Sequence, residues 1–555
     1  MTAPEASAGI DVVLAASAFE TVRDRIPTAE LLRMAGAIVR RPGPAAQEVT
    51  ELARRLASIA RGSDTPADRR FTDRAWQDNP LMRRLAMSYL ASCAAVERNV
   101  DDADVDWRTK ERVRLFVDNV LAAAAPTNNP LANPSSLKQA IDTGATSWIR
   151  GLRHLSADMQ SRPRIPALVD TTQFTAGENI AATPGKVVLR NDLFELIQYQ
   201  PTTERVDEVP VLMVASPVNK YYLLDLNPKT SVIAAEVARG RQVFVASWVN
   251  PDPQHADADL AAYVRSVMTM LDAIADICGC ARSHLLGLCG GGLIALAAAG
   301  YVAACGQQDR LATLTLGIAV IDFERGGLPG ALLDRKIADR AIKRAERDGY
   351  FDGLNTAAVF AWLRPNEGIW ANVVNNYLLG ERPPAIEMLY WAADQTNLTV
   401  ALGRDLLEIT LGNSLTVPGA VEVLGLPLDL SKMTVDTYVL GASTDHITPW
   451  RDCYRTRSVV GAATTFVLAR GGHAVAIATP PGAPKGSYRT GDSSSAEPDE
   501  WLSGSTETAG SWWDHWNDWI AKRTPEKRPA PAVLGSHTYP PLGDAPGDYV
   551  KRRLE

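Results

Sequence analysis

From about residue 166 onward, short runs of β-branched and apolar residues alternate with segments of helical periodicity. The runs are KVVLRN, FELIQYQ, VPVLMVAS, QVFVASW, HLLGL, LTLGIAVID, VDTYVLGA and TTFVLAR. This alternation is typical of a mostly parallel sheet covered by helices, because each parallel strand needs a long crossover connection. We therefore expect an α/β domain over residues 166–555.

Three other segments depart from this alternation. Residues 1–165 repeat apolar residues at three- and four-residue steps, as in TAELLRMAGAIVRR and AAQEVTELARRLASIA, which predicts a helical N-terminal domain. Between about 323 and 431 the sequence is again helical and rich in Trp, which predicts an insertion into the α/β domain. Residues 481–510 are rich in Gly, Ser and Pro and predict a surface loop.

Composition and charge exclude several classes of protein. Hydrophobic residues make up 46% of the 555 residues, which is too apolar for a disordered chain. Lys and Arg total 57 against 64 Asp and Glu, without a long basic run, so a nucleic-acid partner is not expected. Six scattered cysteines predict a reducing compartment, the cytoplasm. Cys278 and Cys280 have no matching ligand pair, so no metal site is expected.

The ends and apolar stretches of the sequence predict neither export nor a membrane span. Glu5 and Asp11 lie where an export signal would have a basic and then an apolar segment. The uncharged stretch 285–308 is long enough to cross a bilayer, but glycines interrupt it. We interpret this stretch as a buried strand, a tight turn and a buried helix.

That turn contains the pattern Gly287-Leu288-Cys289-Gly290-Gly291, between an apolar run and a helix-forming run. This is the context of a nucleophile elbow, a strained turn that exposes a nucleophile above a sheet. The residues two before and two after the nucleophile must be small because strand and helix pass close by. The pattern therefore predicts Cys289 as a nucleophile.

An elbow needs an acid and then a histidine, each in a loop after a later strand. Asp445 follows the run VDTYVLGA, and His473 follows TTFVLAR. His446 competes with His473 as the base, but it directly follows Asp445, and we interpret it as a supporting residue. Asp322 remains an alternative acid. It ends the run LTLGIAVID, and some hydrolase-like folds take the acid from the end of the corresponding strand.

Eight motifs carry a resemblance to a known family: SPVNKYYLLDLNP, FVASWVNPD, GLCGGG, FAWLRPNEGIWANVVNNYLLG, LYWAADQTNL, DHITPW, GGHAVAIATPPGAPKG and SWWDHWNDWI. In order and spacing the chain resembles the single-subunit polyhydroxyalkanoate synthases from about residue 80 to its end. The resemblance implies an α/β-hydrolase fold with a lid over about 323–431, and it implies Cys289 as the acylated nucleophile, Asp445 as the acid and His473 as the base. One departure is Gly290, where many relatives have alanine.

The resemblance also implies a reaction and its partners. The substrate would be an (R)-3-hydroxyacyl-CoA, polymerised into polyhydroxyalkanoate with CoA as a product and without a cofactor. The partners would be the growing polymer, the granule surface and a second copy in a homodimer, in the cytoplasm at the granule surface. Helices of the N-terminal domain would serve dimerisation or granule association.

A thiol suits such a substrate, whose acyl group is already a thioester. Transfer between two sulfurs is close to thermoneutral, so Cys289 keeps the acyl group reactive toward the 3-hydroxyl of the next unit. The backbone amides of Gly290 and of Val218, in the loop after VPVLMVAS, are expected to hold the oxyanion.

Two alternative functions stay open at this point. A thioesterase or depolymerase would use the same triad but release the product to water. A noncatalytic granule-surface binding protein would rely on the N-terminal helices and would need no triad.

Tryptophans outside the elbow suggest how the site is enclosed. The walls of the acyl pocket are expected to include Trp362, Trp370 and Trp391, and we expect acceptance of roughly four to ten carbons, since one methylene contributes little discrimination. Trp512, Trp516 and Trp519 share one helical face, which favours burial in the core over contact with polymer.

Overall fold

The computed structural model of the chain describes residues 27–62, 65–324, 327–492 and 495–554. These residues form two compact units. The sheet unit consists of the described residues of Thr171–Thr356 and Ile386–Glu555, and the helical unit of those of Ala18–Asp170 and Ala357–Ala385. Residues 357–385, which lie within the predicted insertion, therefore belong to the helical unit.

The described strands all lie in the sheet unit. In chain order they are β1 Gly185–Arg190, β2 Phe194–Tyr199, β3 Arg205–Asp207, β4 Val211–Val214, β5 Val243–Trp248, β6 Ser283–Leu288, β7 Leu311–Gly317, β8 Glu422–Val423, β9 Leu426–Pro427, β10 Thr437–Ala442, β11 Thr464–Ala469, β12 Ser487–Thr490, β13 Thr506–Ala509, β14 Lys527–Pro529 and β15 Gly543–Asp544. Each of the eight predicted runs overlaps one of these strands.

Eleven strands form one sheet in the order β13-β12-β11-β10-β7-β6-β4-β5-β2-β1-β15. The six central strands, from β11 to β5, are parallel, whereas the outer pairs are antiparallel. Every residue of β4 and β6 is buried, as expected for parallel strands covered on both faces. This is the α/β-hydrolase fold, and the predicted fold class is confirmed.

Helices of the helical unit precede the sheet in the chain. They are α1 Thr28–Arg40, α2 Pro42–Arg61, α3 Ala75–Asp78, α4 Pro80–Asp102, α5 Trp107–Ala123, α6 Pro134–Asp142 and α7 Thr146–Gln160. Asn79 caps α4 by accepting hydrogen bonds from two amides of its first turn, and Pro80 fits there because the first helical amide needs no acceptor. Phe71, Trp76 and Ala86 form a small core where α3 and α4 begin.

The later helices follow β4 in the chain, and residues 357–363 of one of them belong to the helical unit. They are α8 Val232–Ala238, α9 Leu260–Cys278, α10 Gly290–Ala304, α11 Gly327–Leu332, α12 Arg335–Asp348, α13 Gly353–Leu363, α14 Glu387–Ala393, α15 Val400–Gly412, α16 Trp450–Val459, α17 His473–Ala478, α18 Pro498–Gly504 and α19 Trp512–Ala521. Within the described ranges, each helix is too short or too polar to span a bilayer.

The tryptophan face of α19 is part of the core. Trp512, Trp516 and Trp519 are at most 7% exposed. The indole nitrogens of Trp516 and Trp519 donate to the hydroxyls of Thr315 on β7 and Thr465 on β11, at 2.8 and 3.0 Å. The interpretation of this face as buried is therefore confirmed.

The prediction of a surface loop over residues 481–510 is wrong. This segment contains β12, α18 and β13, and β12 extends the sheet by pairing with β11. The residues of β12 are half-buried and those of β13 exposed, so neither strand has the apolar alternation that reveals a core strand. Backbone pairing at the sheet edge determines their structure.

Candidate active site

Cys289 lies between the end of β6 and the start of α10, with φ 56° and ψ −127°, a strained conformation for a residue with a side chain. The neighbouring glycines make this turn possible. A Cβ on Gly287 would lie 2.6 Å from the Cβ of Ala295, and one on Gly291 would lie 2.2 Å from the carbonyl oxygen of Val214. The turn therefore has the geometry of the predicted elbow.

The structure brings Cys289, His473 and Asp445 together. The Sγ of Cys289 lies 3.1 Å from Nε2 of His473, and Nδ1 of His473 lies 2.6 Å from Oδ2 of Asp445. Asp445 follows β10, and His473 begins α17 after β11, so both lie at the carboxyl ends of neighbouring parallel strands. All three side chains are buried.

The carboxylate of Asp445 is fixed by its own loop. Its Oδ1 accepts hydrogen bonds from the amides of Ile447 and Thr448, at 2.9 and 3.0 Å, and the Thr448 hydroxyl donates to Oδ2 at 2.6 Å. Burial alone would raise the pKa of Asp445, but the charge and hydrogen bond of His473, together with the Thr448 hydroxyl, hold that pKa below its ordinary value. Asp445 is thus ionised at neutral pH and orients the imidazole.

The two competing residues, His446 and Asp322, have different surroundings. His446 is half-buried beside Asp445, where its charge would add to those that lower the pKa of Asp445. Asp322 accepts a hydrogen bond from Asn413 at 2.8 Å and lines a separate polar cavity with it. The contacts to Cys289 thus favour His473 as the base and Asp445 as its acid partner.

The two predicted oxyanion amides belong to Gly290, directly after Cys289, and to Val218, in the loop after β4. Gly290 begins α10, where the first backbone amides lack helical acceptors. Val218 is fully buried in the loop after β4, and its carbonyl accepts from the Thr396 amide at 3.1 Å. Within the described part of the chain, neither amide donates a hydrogen bond to another residue. Their assignment to the oxyanion stays a prediction.

Two small cavities meet at Cys289. The first, about 30 Å³, is bounded by apolar side chains such as Leu224 and Ile477 and by Trp391. The second, about 10 Å³, is lined by residues that include Ile318 and Phe323. Both are well below the roughly 300–1,000 Å³ of typical ligand pockets, so neither has room for an extended ligand in this structure.

The three predicted wall tryptophans are divided between the two units. Trp391 lines the first cavity, and its indole nitrogen donates to the carbonyl of Lys220 at 2.7 Å. Trp362 and Trp370 belong to the helical unit. The preferred acyl length stays a prediction.

Sequence reasoning missed two residues of the site. Thr448 contacts both Asp445 and Nδ1 of His473, the latter at 3.1 Å. Its position three residues after an aspartate in a turn is a signal that side chain and turn bond to each other. Ile318, with φ 46°, has a left-handed backbone beside Cys289, for which a β-branched residue provides no sequence signal.

Among the described residues, no group of three potential ligands converges on a position for a metal ion.

Comparisons with known proteins extend over most of the chain. Residues 67–235 match the family described as the N-terminus of poly-beta-hydroxybutyrate polymerase (PhaC). Poly(3-hydroxyalkanoate) polymerase 2 of Ectopseudomonas oleovorans is 39% identical, over 88% of this chain and 87% of that protein. Polymerase 1 of the same organism is 36% identical, over 93% and 92% of the two chains. Poly(3-hydroxyalkanoate) polymerase subunit PhaC of Cupriavidus necator is 35% identical, over 88% and 83%.

Proposed function

The chain belongs to the poly(3-hydroxyalkanoate) polymerases and is an acyltransferase-type enzyme, and on this premise we propose that it polymerises (R)-3-hydroxyacyl groups from CoA thioesters through an acyl-enzyme at Cys289. The observation that carries the proposal is the continuous contact from the Cys289 thiol through His473 to Asp445. This arrangement activates a nucleophile and holds its base in one orientation.

Acylation begins with transfer of the Cys289 proton to Nε2 of His473. The thiolate attacks the thioester carbonyl, and the tetrahedral oxyanion accepts hydrogen bonds from the amides of Gly290 and Val218. Each such donor contributes about 3 kcal/mol to the transition state when its geometry is good. The CoA sulfur leaves with the proton held by His473, and Asp445 stabilises the imidazolium in between.

Elongation uses the 3-hydroxyl of one unit as the nucleophile toward the thioester of another. His473 removes the hydroxyl proton, an oxygen ester forms, and a thiol is regenerated. The first transfer, from sulfur to sulfur, is nearly thermoneutral, so the free energy of the thioester is released only when the ester bond forms. A cysteine at position 289 preserves that driving force, whereas a serine would release it at the acylation step.

The partners follow from this reaction and from the surface of the helical unit. CoA leaves as a product, and the mechanism calls for no cofactor.

Large apolar side chains of the helical unit are exposed, among them Leu32, Val39, Leu81 and Ile141, each at least 71% exposed. Exposed apolar side chains favour contact with another apolar surface. We propose that this unit serves granule attachment or homodimer formation, with the enzyme at the granule surface in the cytoplasm.

Incubation of the chain with (R)-3-hydroxybutyryl-CoA and a thiol reagent tests the proposed function. We expect CoA release together with turbidity from insoluble polymer. CoA release without polymer would instead identify a thioesterase or depolymerase, and the absence of both would identify a noncatalytic granule-surface protein.

A further inference from the structure

The side chain of Asn219 lines the first cavity together with Cys289 and His473. Asn219 is 4% exposed, and neither its Nδ2 nor its Oδ1 has a hydrogen-bond partner among the described residues. Buried polar atoms in native proteins are almost always hydrogen-bonded, and an exception needs an explanation. A ligand that offers both a donor and an acceptor would satisfy both atoms.

Its neighbours in the chain hold Asn219 in place. The Asn219 backbone pairs with Gln395, and the carbonyl of Val218 accepts the Thr396 amide at 3.1 Å. On the other side, the ammonium of Lys220 forms an ion pair with Asp394 at 2.9 Å, and both residues are buried. A side chain on so constrained a loop is preorganised for a ligand.

The location of Asn219 selects the part of the substrate that it can meet. Asn219 directly follows Val218, whose amide is assigned to the oxyanion, and it lines the same cavity as Cys289, so an acyl group on Cys289 would share that cavity with it. The 3-hydroxyl is attached two carbons from that carbonyl carbon. Such a hydroxyl both donates and accepts, which complements the unfilled Nδ2 and Oδ1 atoms.

Much of the remaining cavity wall is apolar, although Ser216 and Tyr221 also line it. Leu223, Leu224 and Ile477 are apolar and offer the hydroxyl no hydrogen bond. A hydroxyl that leaves water for such a cavity loses its hydrogen bonds unless a protein group replaces them. A site with a buried polar group also rejects the analogue without the hydroxyl, because that group then stays unpaired.

We propose that the Asn219 side chain binds the 3-hydroxyl of the acyl group and thereby selects 3-hydroxyacyl over plain acyl thioesters. This proposal rests on the proposed function, because it requires a 3-hydroxyacyl thioester at Cys289. It adds a specificity-determining contact to the triad and the oxyanion amides.

The test compares first-turnover CoA release from (R)-3-hydroxybutyryl-CoA and from butyryl-CoA, which differ only in the hydroxyl. The full-length chain is compared with Asn219→Leu, Asn219→Ala and the control Ser216→Ala. Ser216 lines the same cavity, and its hydroxyl is likewise buried without a described partner. The measured quantity is the ratio of kcat/KM for the two substrates.

For both Asn219 variants we expect this ratio to fall at least about tenfold, through loss of activity toward the hydroxylated substrate only. Continued acylation by butyryl-CoA shows that the variants are folded. The Ser216→Ala ratio should stay within about threefold of the parent, since that residue has no assigned contact.

Four results would overturn the proposal. Equal losses with both substrates would place Asn219 at the pantetheine or in a purely structural role. An unchanged ratio, or a ratio that collapses only in Ser216→Ala, would show that another group binds the hydroxyl. If the unaltered chain releases no CoA from (R)-3-hydroxybutyryl-CoA, the proposed function itself fails and this proposal fails with it.

Discussion

At the scale of single residues, the strained backbone of Cys289 positions the thiol rather than adding to stability. A φ of 56° is unfavourable for any residue with a Cβ, and it persists because strand β6 and helix α10 hold the turn from both sides. This conformation places the Cys289 thiol in direct contact with Nε2 of His473. The elbow pattern at Cys289 and the order of an acid and a histidine after it predicted this group, with Asp322 left as an alternative acid.

Other residues of the site were beyond prediction for physical reasons. Thr448 contacts Asp445 and His473 because the loop after β10 turns back on itself, and the direction of a side chain in a turn depends on backbone geometry. The choice between Asp445 and Asp322 was equally a question of distance. Asp322 pairs with Asn413, 91 positions later in the chain.

Replacement of the base tests the assignment of the two candidate histidines. We expect His473→Ala to lose roughly a hundredfold or more in kcat, because proton transfer from Cys289 and from the attacking hydroxyl both depend on it. His446→Ala, the matched variant next to Asp445, should lose far less. Steady-state CoA release measures both, and a reversal of the two losses would show that His446 is the base.

At the scale of elements, the close approach of α10 to β4 depends on one hydrogen atom at Gly291. A Cβ there would lie 2.2 Å from the carbonyl oxygen of Val214 and 2.6 Å from that of Ala215, and backbone cannot move aside cheaply. We expect Gly291→Ala to lower the free energy of unfolding by about 1–3 kcal/mol and to abolish CoA release.

The control for this prediction is Gly36→Ala in α1, where a new Cβ would meet nothing within 4 Å. For this variant we expect unchanged CoA release. Its free energy of unfolding should rise by about 0.5–1 kcal/mol, because alanine has a higher helix propensity than glycine. Chemical denaturation of both variants gives the comparison. Wild-type stability and turnover in Gly291→Ala would contradict the packing account of the elbow.

A contact between helices α8 and α19 predicts that the stability of the fold depends on pH. Glu236 on α8 is fully buried, and its Oε1 accepts from Nδ2 of Asn517 on α19 at 2.6 Å. Burial raises the pKa of Glu236 to about 7, although Asn517 and Arg241 oppose the shift. Between pH 4.5, the ordinary pKa of a glutamate, and about pH 7, Glu236 keeps its proton in the folded state but loses it in the unfolded state. The free energy of unfolding therefore falls as the pH rises through this range.

Glu236→Gln removes this titration. From pH 5.5 to 8.5, the free energy of unfolding of the variant should gain about 2 kcal/mol relative to the parent. Glu178→Gln, at an exposed position, serves as the control and should follow the parent at every pH. Denaturant unfolding at several pH values measures the difference, and a pH-independent difference for Glu236→Gln would contradict a buried carboxyl with a raised pKa.

Elements with a strong apolar pattern were predictable, and elements held by partners were not. All residues of β6 and β10 are buried, and burial favours apolar residues, so these strands could be recognised from their sequence. The edge strands β12 and β13 are half-buried and exposed, and their backbone hydrogen bonds leave no trace in residue type.

At the scale of the whole molecule, the sequence indicated a helical part and a sheet part from their periodicities. It did not indicate that residues 357–385, far along the chain, belong to the helical unit. Within that unit, Tyr377 donates to the Asp158 carboxylate at 2.8 Å, and Gly151 packs against the carbonyl of Tyr377. Contacts between residues so far apart in the sequence leave no local sequence pattern, so they could not be predicted.

Removal of residues 1–79 tests the role of the first three helices. Because Cys289, Asp445 and His473 all lie in the sheet unit, we expect CoA release to remain detectable. Overall activity, dimer content or attachment to granules should fall. Gel filtration, turnover and granule sedimentation measure these changes, and full activity with normal granules in the shortened chain would contradict the proposed role.

The central claim is that Cys289 carries the growing acyl group as a thioester. Its most direct measurement is intact-protein and peptide mass spectrometry after a rapid acid quench of the enzyme with (R)-3-hydroxybutyryl-CoA. We predict one or more 3-hydroxybutyryl units on the peptide that contains Cys289, and no adduct or CoA release in a folded Cys289→Ala variant. Polymer formation without an adduct at Cys289, or continued turnover in that variant, would contradict the account.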